Sequence, residues 1–241
     1  SLADTRIKNL DEIPSPYLTG LVDKFFDDKL IPMLQTNRGC PFSCTFCTDG
    51  REAVNMVNRF SKQRTTDEIN YIATHVKKNV HSMFISDLNF GMIPGDIETC
   101  KSITNVQEKY NYPHKLLTTT GKNNKKKIIE SIKSLSNSLS LSMSVQSMDD
   151  QVLKNIKRDN ISKDVMLELA PVIKENGMNT TAEVILGLPG ETYESHLETI
   201  RKLTDAKLDD IITYTCFLLP GSEMATPEQQ SKWKFKTKFR M

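Results

Sequence analysis

A chain of 241 residues, 38% of them apolar, is long enough for one large domain or two small ones around a real core. Its 32 Lys and Arg against 30 Asp and Glu leave a formal charge of +2, which gives no overall electrostatic reason for a nucleic acid or an anionic membrane as partner. No apolar run approaches the roughly 18 residues of a membrane span, the polar start Ser1–Asp11 is not a secretory signal, and five cysteines are too few for a disulfide scaffold, so a reducing, cytoplasmic setting is expected.

In chain order, Asp11–Gly20 (DEIPSPYLTG) carries two prolines, a glycine and little periodicity, and residues 1–30 are expected to form an N-terminal arm or linker. A core domain over 31–220 follows, in which short apolar runs alternate with longer amphipathic segments. Six strands are expected: Ile31–Thr36, Ser82–Ser86, Lys115–Thr119, Leu139–Val145, Thr180–Leu186 and Ile211–Leu218. Between them, Thr65–Glu68 (TTDE) reads as a capping box that opens a helix, Ser147–Asp150 as an acidic first turn, and Lys122–Lys127 as a solvated turn and helix start. Ser162–Asn176 sets Val165, Leu169, Val172 and Ile173 on one helical face, with a kink or break at Pro171 and a stop at Gly177. A tight turn at Gly187–Gly190 leads into a helix capped near Thr192. Residues 221–241 form a C-terminal extension ending in KWKFKTKFRM, where Trp233, Phe235, Thr237, Phe239 and Met241 alternate with Lys and Arg and predict a strand. That strand is an edge guarded by lysines or a basic, aromatic nucleic-acid surface, the edge being the expectation. Strands and helices alternating at this spacing mean βαβ units and a parallel sheet. The expected fold is therefore α/β, an open, partial (β/α)6 TIM-like barrel with its function at the C-terminal strand ends.

The strongest chemical signal directly follows the first strand. In RGCPFSCTFC, Cys40, Cys44 and Cys47 have the spacing C-x3-C-x2-C. Three thiolates in one short loop can wrap a cubane and ligate three irons, whereas a structural zinc or a plain ferredoxin cluster takes four protein ligands. Cys100 lies in a helical pattern and Cys216 among Tyr214, Phe217 and Leu218, where a small buried thiol is the ordinary reading. One iron is thus left open. An incomplete zinc site and three core cysteines are the alternatives.

With Phe46 before the third cysteine, this loop closely resembles the signature of the radical S-adenosylmethionine (SAM) superfamily. The resemblance implies an enzyme with a [4Fe-4S] cluster on Cys40, Cys44 and Cys47, and with SAM on the open iron through its amino and carboxylate groups. It implies reductive cleavage of SAM to a 5'-deoxyadenosyl radical that abstracts hydrogen from substrate, with a flavodoxin or ferredoxin as electron donor. Phe46 would pack on the cluster or the adenine, or else anchor the core. Asp87 in SDLNFG falls where the family contacts the SAM amino group, and reads also as a cap or turn former. Gln146 and Arg158, in SVQSMDDQVLKNIKR, match the QS…R pattern of the coproporphyrinogen-oxidase-like and methylthiotransferase-like branches. That match implies Gln146 at the ribose and Arg158 on the SAM carboxylate, for which a planar, permanent cation is well suited. EVILGLPGE resembles the family's fifth-strand element, so Glu183 would bond the ribose hydroxyls while Ile185 and Leu188 bracket the adenine; Ile185 also reads as core. Thr118, Thr119 and Thr120 line the pocket or reflect β-propensity alone.

LDEIPSPYLTG, NRGCPFSCTFCTDG, NFG, TTTGKN and EVILGLPGET together look most like radical SAM proteins with an N-terminal cobalamin-binding domain. None of His75, His81, His114 and His196 is followed by x-x-Gly, so the D-x-H-x-x-G motif of the lower cobalamin ligand is missing. Cobalamin is expected only through a domain outside this sequence, and the chain is expected to be an excised core. The expected function is hydrogen abstraction from a small molecule or biosynthetic intermediate, with cobalamin-dependent methyl transfer in the full-length protein. Radical modification of tRNA or protein, and a non-catalytic metal-binding module, are the alternatives. Neither nucleic acid nor membrane is expected as a partner.

Overall fold

Every second residue of the long strands is buried, and that period decides which side of the sheet the helices cover. The computed structural model describes residues 6–120, 135, 139–158 and 180–238. Its strands are β1 (Met33–Leu34), β2 (Asn37–Arg38), β3 (Asn58–Arg59), β4 (Ser82–Phe90), β5 (Lys115–Thr120), β6 (Leu139–Gln146), β7 (Thr180–Leu186) and β8 (Asp210–Thr215). The helices are α1 (Lys62–His75), α2 (Asp96–Tyr110), α3 (Asp150–Asn155), α4 (Tyr193–Asp205) and α5 (Pro227–Trp233). One sheet has the order β1-β4-β5-β6-β7-β8, with every neighbouring pair parallel. Spatial order follows chain order, as successive βαβ units produce. β1 and β8 remain as edges, so the sheet is the open, partial TIM-like barrel that the alternation predicts.

Leu34, Met83, Ile85 and Leu116 meet Ile69, Ile72, Ile103 and Val106 of α1 and α2, while Met143, Val145, Ala182 and Val184 meet Leu203 of α4. Burying one such side chain contributes about 1.5–3 kcal/mol. The intervening residues, Ser144, Glu183 and Ile185 among them, face the opposite side of the sheet.

Several boundaries differ from the sequence expectation for local reasons. β1 stops at Leu34, because Thr36 and Asn37 turn their polar groups to Asp87. α1 begins a turn before TTDE: Ser61 has an extended backbone and accepts from the Arg64 N–H, while Glu68 turns to Ser15 and Arg64. α4 starts where expected, with Thr192 and Ser195 forming a reciprocal capping box. The C-terminal strand is a correction. Lys232 and Trp233 end α5, Lys234 turns left-handed at φ 51°, and residues 235–238 join no ladder. Thr226 as cap with Pro227 in the first turn is a helix start that outweighs the alternation behind it. The helix expected over Ser162–Asn176 with its stop at Gly177, and the turn Lys122–Lys127, lie outside the described residues.

The arm is docked rather than free. Arg64 donates to the Ile13 carbonyl at 2.7 Å, the buried Ser15 hydroxyl donates to Glu68, and the Tyr17 hydroxyl donates to the Met33 carbonyl at 2.6 Å. Among the described residues no helix is long and apolar enough to cross a membrane.

Candidate functional site

Residues 39–57 form a loop whose base is closed by the antiparallel pairing of β2 with β3. Asp87, at the C-terminal part of β4, locks that base from inside. Its carboxylate accepts from the Thr36 N–H (2.7 Å), the Thr36 hydroxyl, the Asn37 N–H (3.3 Å) and the Asn37 amide (2.8 Å). Arg59 ties Thr36 to the buried Asp96, which also accepts from the N–H groups of Gly91 and Ile93. Of the two roles expected for Asp87, the described contacts are those of a turn anchor.

Burial pushes the Asp87 carboxyl up to about 6, against the hydrogen bonds from Thr36 and Asn37 and with the charge of Asp96 adding to the rise. The unfolded group titrates near its ordinary 3.8, so the folded state retains the proton between about pH 4 and 6. The contribution of Asp87 to stability is full below the lower value and is lost as the pH rises through the upper one, on the order of 3 kcal/mol. Denaturant unfolding at pH 4.5 and 7 measures about two-thirds of it, roughly 2 kcal/mol: Asp87→Asn, which does not titrate, should lack this part of the slope.

Inside the loop two glycines permit close backbone approaches. Gly39 sits at φ +108°, and a Cβ there would lie 2.2 Å from the Met56 carbonyl oxygen; one on Gly50 would lie 2.3 Å from that of Cys44. Thr45 is clamped from both sides, its N–H donating to the Ile156 carbonyl (3.0 Å) and its carbonyl accepting from the Met224 N–H (2.8 Å). Cys40 and Cys44 are buried and Cys47 is half-buried. Asn89 donates from Nδ2 to Cys40 Sγ at 3.2 Å, and Arg158 Nη1 stands 3.8 Å from Cys44 Sγ.

Arg158 reaches the loop because Lys157 turns left-handed (φ 54°) beyond α3, with the Arg158 N–H bonded to the Leu153 carbonyl at 2.9 Å. Lys157 itself pairs with Glu223 at 2.8 Å. Burial draws the Arg158 guanidinium below its usual range, while Cys44, Cys40 and Cys47 hold it up.

The remaining expected residues surround this loop. Phe46, Ile185 and Leu188 share one apolar cluster with Val152, Ile156 and Met224. Gln146 ends β6 at a register shift, with φ 69°. Glu183 accepts from the Ser144 hydroxyl at 2.9 Å. The turn after β7 is pinned by Glu191, which accepts from the Gly187 N–H at 2.6 Å and lies 3.0 Å from His196 Nδ1, and by Asn155, which donates to the Pro189 carbonyl at 2.9 Å. Thr118 is buried on the Leu116 side of β5. A cavity of about 500 Å³ opens beside the loop, lined by Arg6, Gln35, Asn37, Arg38, Ser86 and Leu88 among others. Cys100 is fully buried in the α1–α2 core, and Cys216 lies 3.7 Å from Met224 Sδ with its thiol pushed up by burial to about 11. Asn89, Thr45 and Glu191 lie in the NFG, RGCPFSCTFC and EVILGLPGE motifs, but the sequence assigns them no role of their own; the side-by-side placement of strand ends reveals it.

The sequence profile of the radical SAM superfamily matches residues 34–203. The chain belongs to the radical SAM superfamily. It is 31% identical over 96% of its length to the "Cobalamin-dependent radical SAM methyltransferase TokK" of Streptomyces tokunonensis, and covers 35% of that protein. It is 30% identical, over the same shares, to the "2-(S-pantetheinyl)-carbapenam-3-carboxylate methyltransferase" of Streptantibioticus cattleyicolor. The chain thus spans about a third of the length of these curated relatives. Among solved structures, the radical SAM methyltransferase TsrM of Kitasatospora setae, with cobalamin and a [4Fe-4S] cluster bound, superposes with a TM-score of 0.68 at 14% identity, over 80% of this chain and 36% of that one.

Membership in the radical SAM superfamily implies a [4Fe-4S] cluster and SAM, and the residues present fit both groups. The loop gathers the three thiols; Cys100 is packed in the α1–α2 core, and Cys216 lies against Met224 in the apolar cluster that includes Phe46. Among the described residues no three His, Cys, Asp or Glu side chains converge on one ion; thiols bound to three separate irons of a cubane do not share a point. Asn89 and Arg158 set donors toward two of the sulfurs. Oδ1 of Asn89, Oγ1 of Thr118 and Oε1 of Gln146 are buried with no hydrogen-bond partner among the described residues, acceptors of the kind that a bound group satisfies.

Proposed function

We propose that this chain is the radical-generating core of a cobalamin-dependent methyltransferase acting on a small molecule, within a core domain over 31–220. One juxtaposition carries the reading: a loop presenting Cys40, Cys44 and Cys47 lies against the buried Arg158 and beside the apolar group of Phe46, Ile185 and Leu188. In this reading the three thiolates hold the cluster, Arg158 pairs with the SAM carboxylate, and Gln146 and Glu183 accept from the ribose hydroxyls. Phe46, Ile185 and Leu188 cover the adenine and exclude water. Cluster and SAM together supply a 5'-deoxyadenosyl radical for hydrogen abstraction, and cobalamin, held by a domain outside this chain, supplies the methyl group. The methyltransferase part is supported by 31% and 30% identity, over 96% of the chain, to two proteins bearing that name. The cavity of about 500 Å³ beside the loop accommodates a small molecule, and a net charge of +2 does not favour nucleic acid. Five cysteines, too few for a disulfide scaffold, fit a reducing cytoplasm, with a flavodoxin or ferredoxin as electron donor.

The test is SAM cleavage. Anaerobically reconstituted, reduced protein should convert SAM to 5'-deoxyadenosine and methionine even without substrate; a protein with full iron content that leaves SAM intact overturns the reading. Arg158→Ala removes the carboxylate's charged partner and should weaken SAM binding by about 1.5–3 kcal/mol, measured by equilibrium dialysis of the cluster-loaded protein. Glu183→Gln, which keeps the shape and loses only charge, should weaken it less.

A further inference from the structure

Asp87 and Asn89 lie two residues apart near the end of β4 and point to the same side. Asp87 fixes the base of the cysteine loop, and Asn89, 2% exposed, touches its first cysteine. Between Ile85 and Phe90 the pairing of β4 with β5 shifts register, an irregularity of the kind that re-aims side chains at strand ends. The Asn89 amide donates to Cys40 Sγ at 3.2 Å. Its orientation follows from chemistry, since turning Oδ1 to the sulfur would set acceptor against thiolate. The opposite end, Oδ1, is buried and meets no partner among the described residues. An amide placed for packing would have both ends satisfied; here the satisfied end is the one on the sulfur.

We propose that Asn89 is a positioning residue of the iron-sulfur centre, whose amide N–H on Cys40 Sγ raises the reduction potential of the cluster. The proposal rests on the reading of Cys40 as a cluster ligand. Reduction adds negative charge that is shared with the ligating sulfurs, so a donor on one of them stabilises the reduced form more than the oxidised form. Hydrogen bonds to cluster sulfurs are among the factors that set such potentials. An amide is suited to the task because it supplies this dipole without adding net charge beside Arg158.

The test is a redox titration of the reconstituted protein without SAM, followed by electron paramagnetic resonance of the reduced cluster. Asn89→Ala should move the midpoint to a more negative value at unchanged iron content, and Asn89→Ser, which keeps a shorter donor, should fall between it and the unsubstituted protein. An Asn89→Ala midpoint equal to or above that of the unsubstituted protein overturns the proposal. Should Asn89→Ala not hold four irons, the unsubstituted protein decides: with asparagine side-chain amides labelled with nitrogen-15, pulsed resonance of the reduced cluster should show coupling to that nucleus, and its absence overturns the proposal. A protein that binds no iron through Cys40, Cys44 and Cys47 overturns the cluster reading first and this proposal with it, which separates the two failures.

Discussion

Protein carrying Cys40→Ala, Cys44→Ala or Cys47→Ala is expected to hold no four-iron cluster after anaerobic reconstitution, whereas Cys100→Ala and Cys216→Ala should each retain about four irons and four sulfides. In the proposed arrangement each loop thiol supplies the protein ligand of one iron, a part that neither Cys100 nor Cys216 is expected to take over. Cys100 is fully buried on α2 against the sheet. The Cys216 thiol, pushed up to about 11, stays protonated at neutral pH and sits against Met224. Iron and sulfide assays with the visible absorption of the reconstituted proteins check the pattern. Loss of the cluster in Cys216→Ala would sink the arrangement of three ligands and an open iron.

Gly50→Ala is expected to cost nearly as much, though it removes no ligand. The new Cβ would stand 2.3 Å from the carbonyl oxygen of Cys44 and 3.0 Å from its nitrogen, so backbone has to move. Thr45, bonded to Ile156 on one side and Met224 on the other, leaves that backbone little room. Forcing extra volume into a packed site costs about 1–3 kcal/mol, and the displacement falls on Cys44, a proposed ligand of the cluster. A lowered unfolding midpoint together with lost iron content is the expected result. Unchanged values of both would show that the loop yields more readily than its hydrogen bonds suggest.

The sheet was legible because its strands are short apolar runs separated by segments of helical period, and each crossover helix needs a sheet face to cover. The three thiols were legible for a different reason: their chemistry is local and their spacing is its own signature. What escaped depends on partners distant in sequence. Asp87 could be marked, but its engagement with Thr36 and Asn37 joins residues some fifty positions apart. Asn89 stands in the NFG motif, but its contact with Cys40 joins residues 49 positions apart and is not legible from that motif. At the C-terminus two local signals conflicted: the alternation from Lys232 onward suggested a strand, while Thr226 and Pro227 just upstream start a helix that runs through Trp233.

The double clamp on Thr45 has a consequence for how the protein is made. Its two partners, Ile156 and Met224, lie far downstream, so at roughly 5–20 residues per second the second reaches the ribosome about 10–35 s after the cysteines do. During that interval the three thiols emerge on a segment lacking the backbone partners that later hold it. Cluster delivery to a shaped loop therefore belongs after synthesis, and until then the nascent thiols depend on the reducing power of their surroundings to stay off the oxidation ladder.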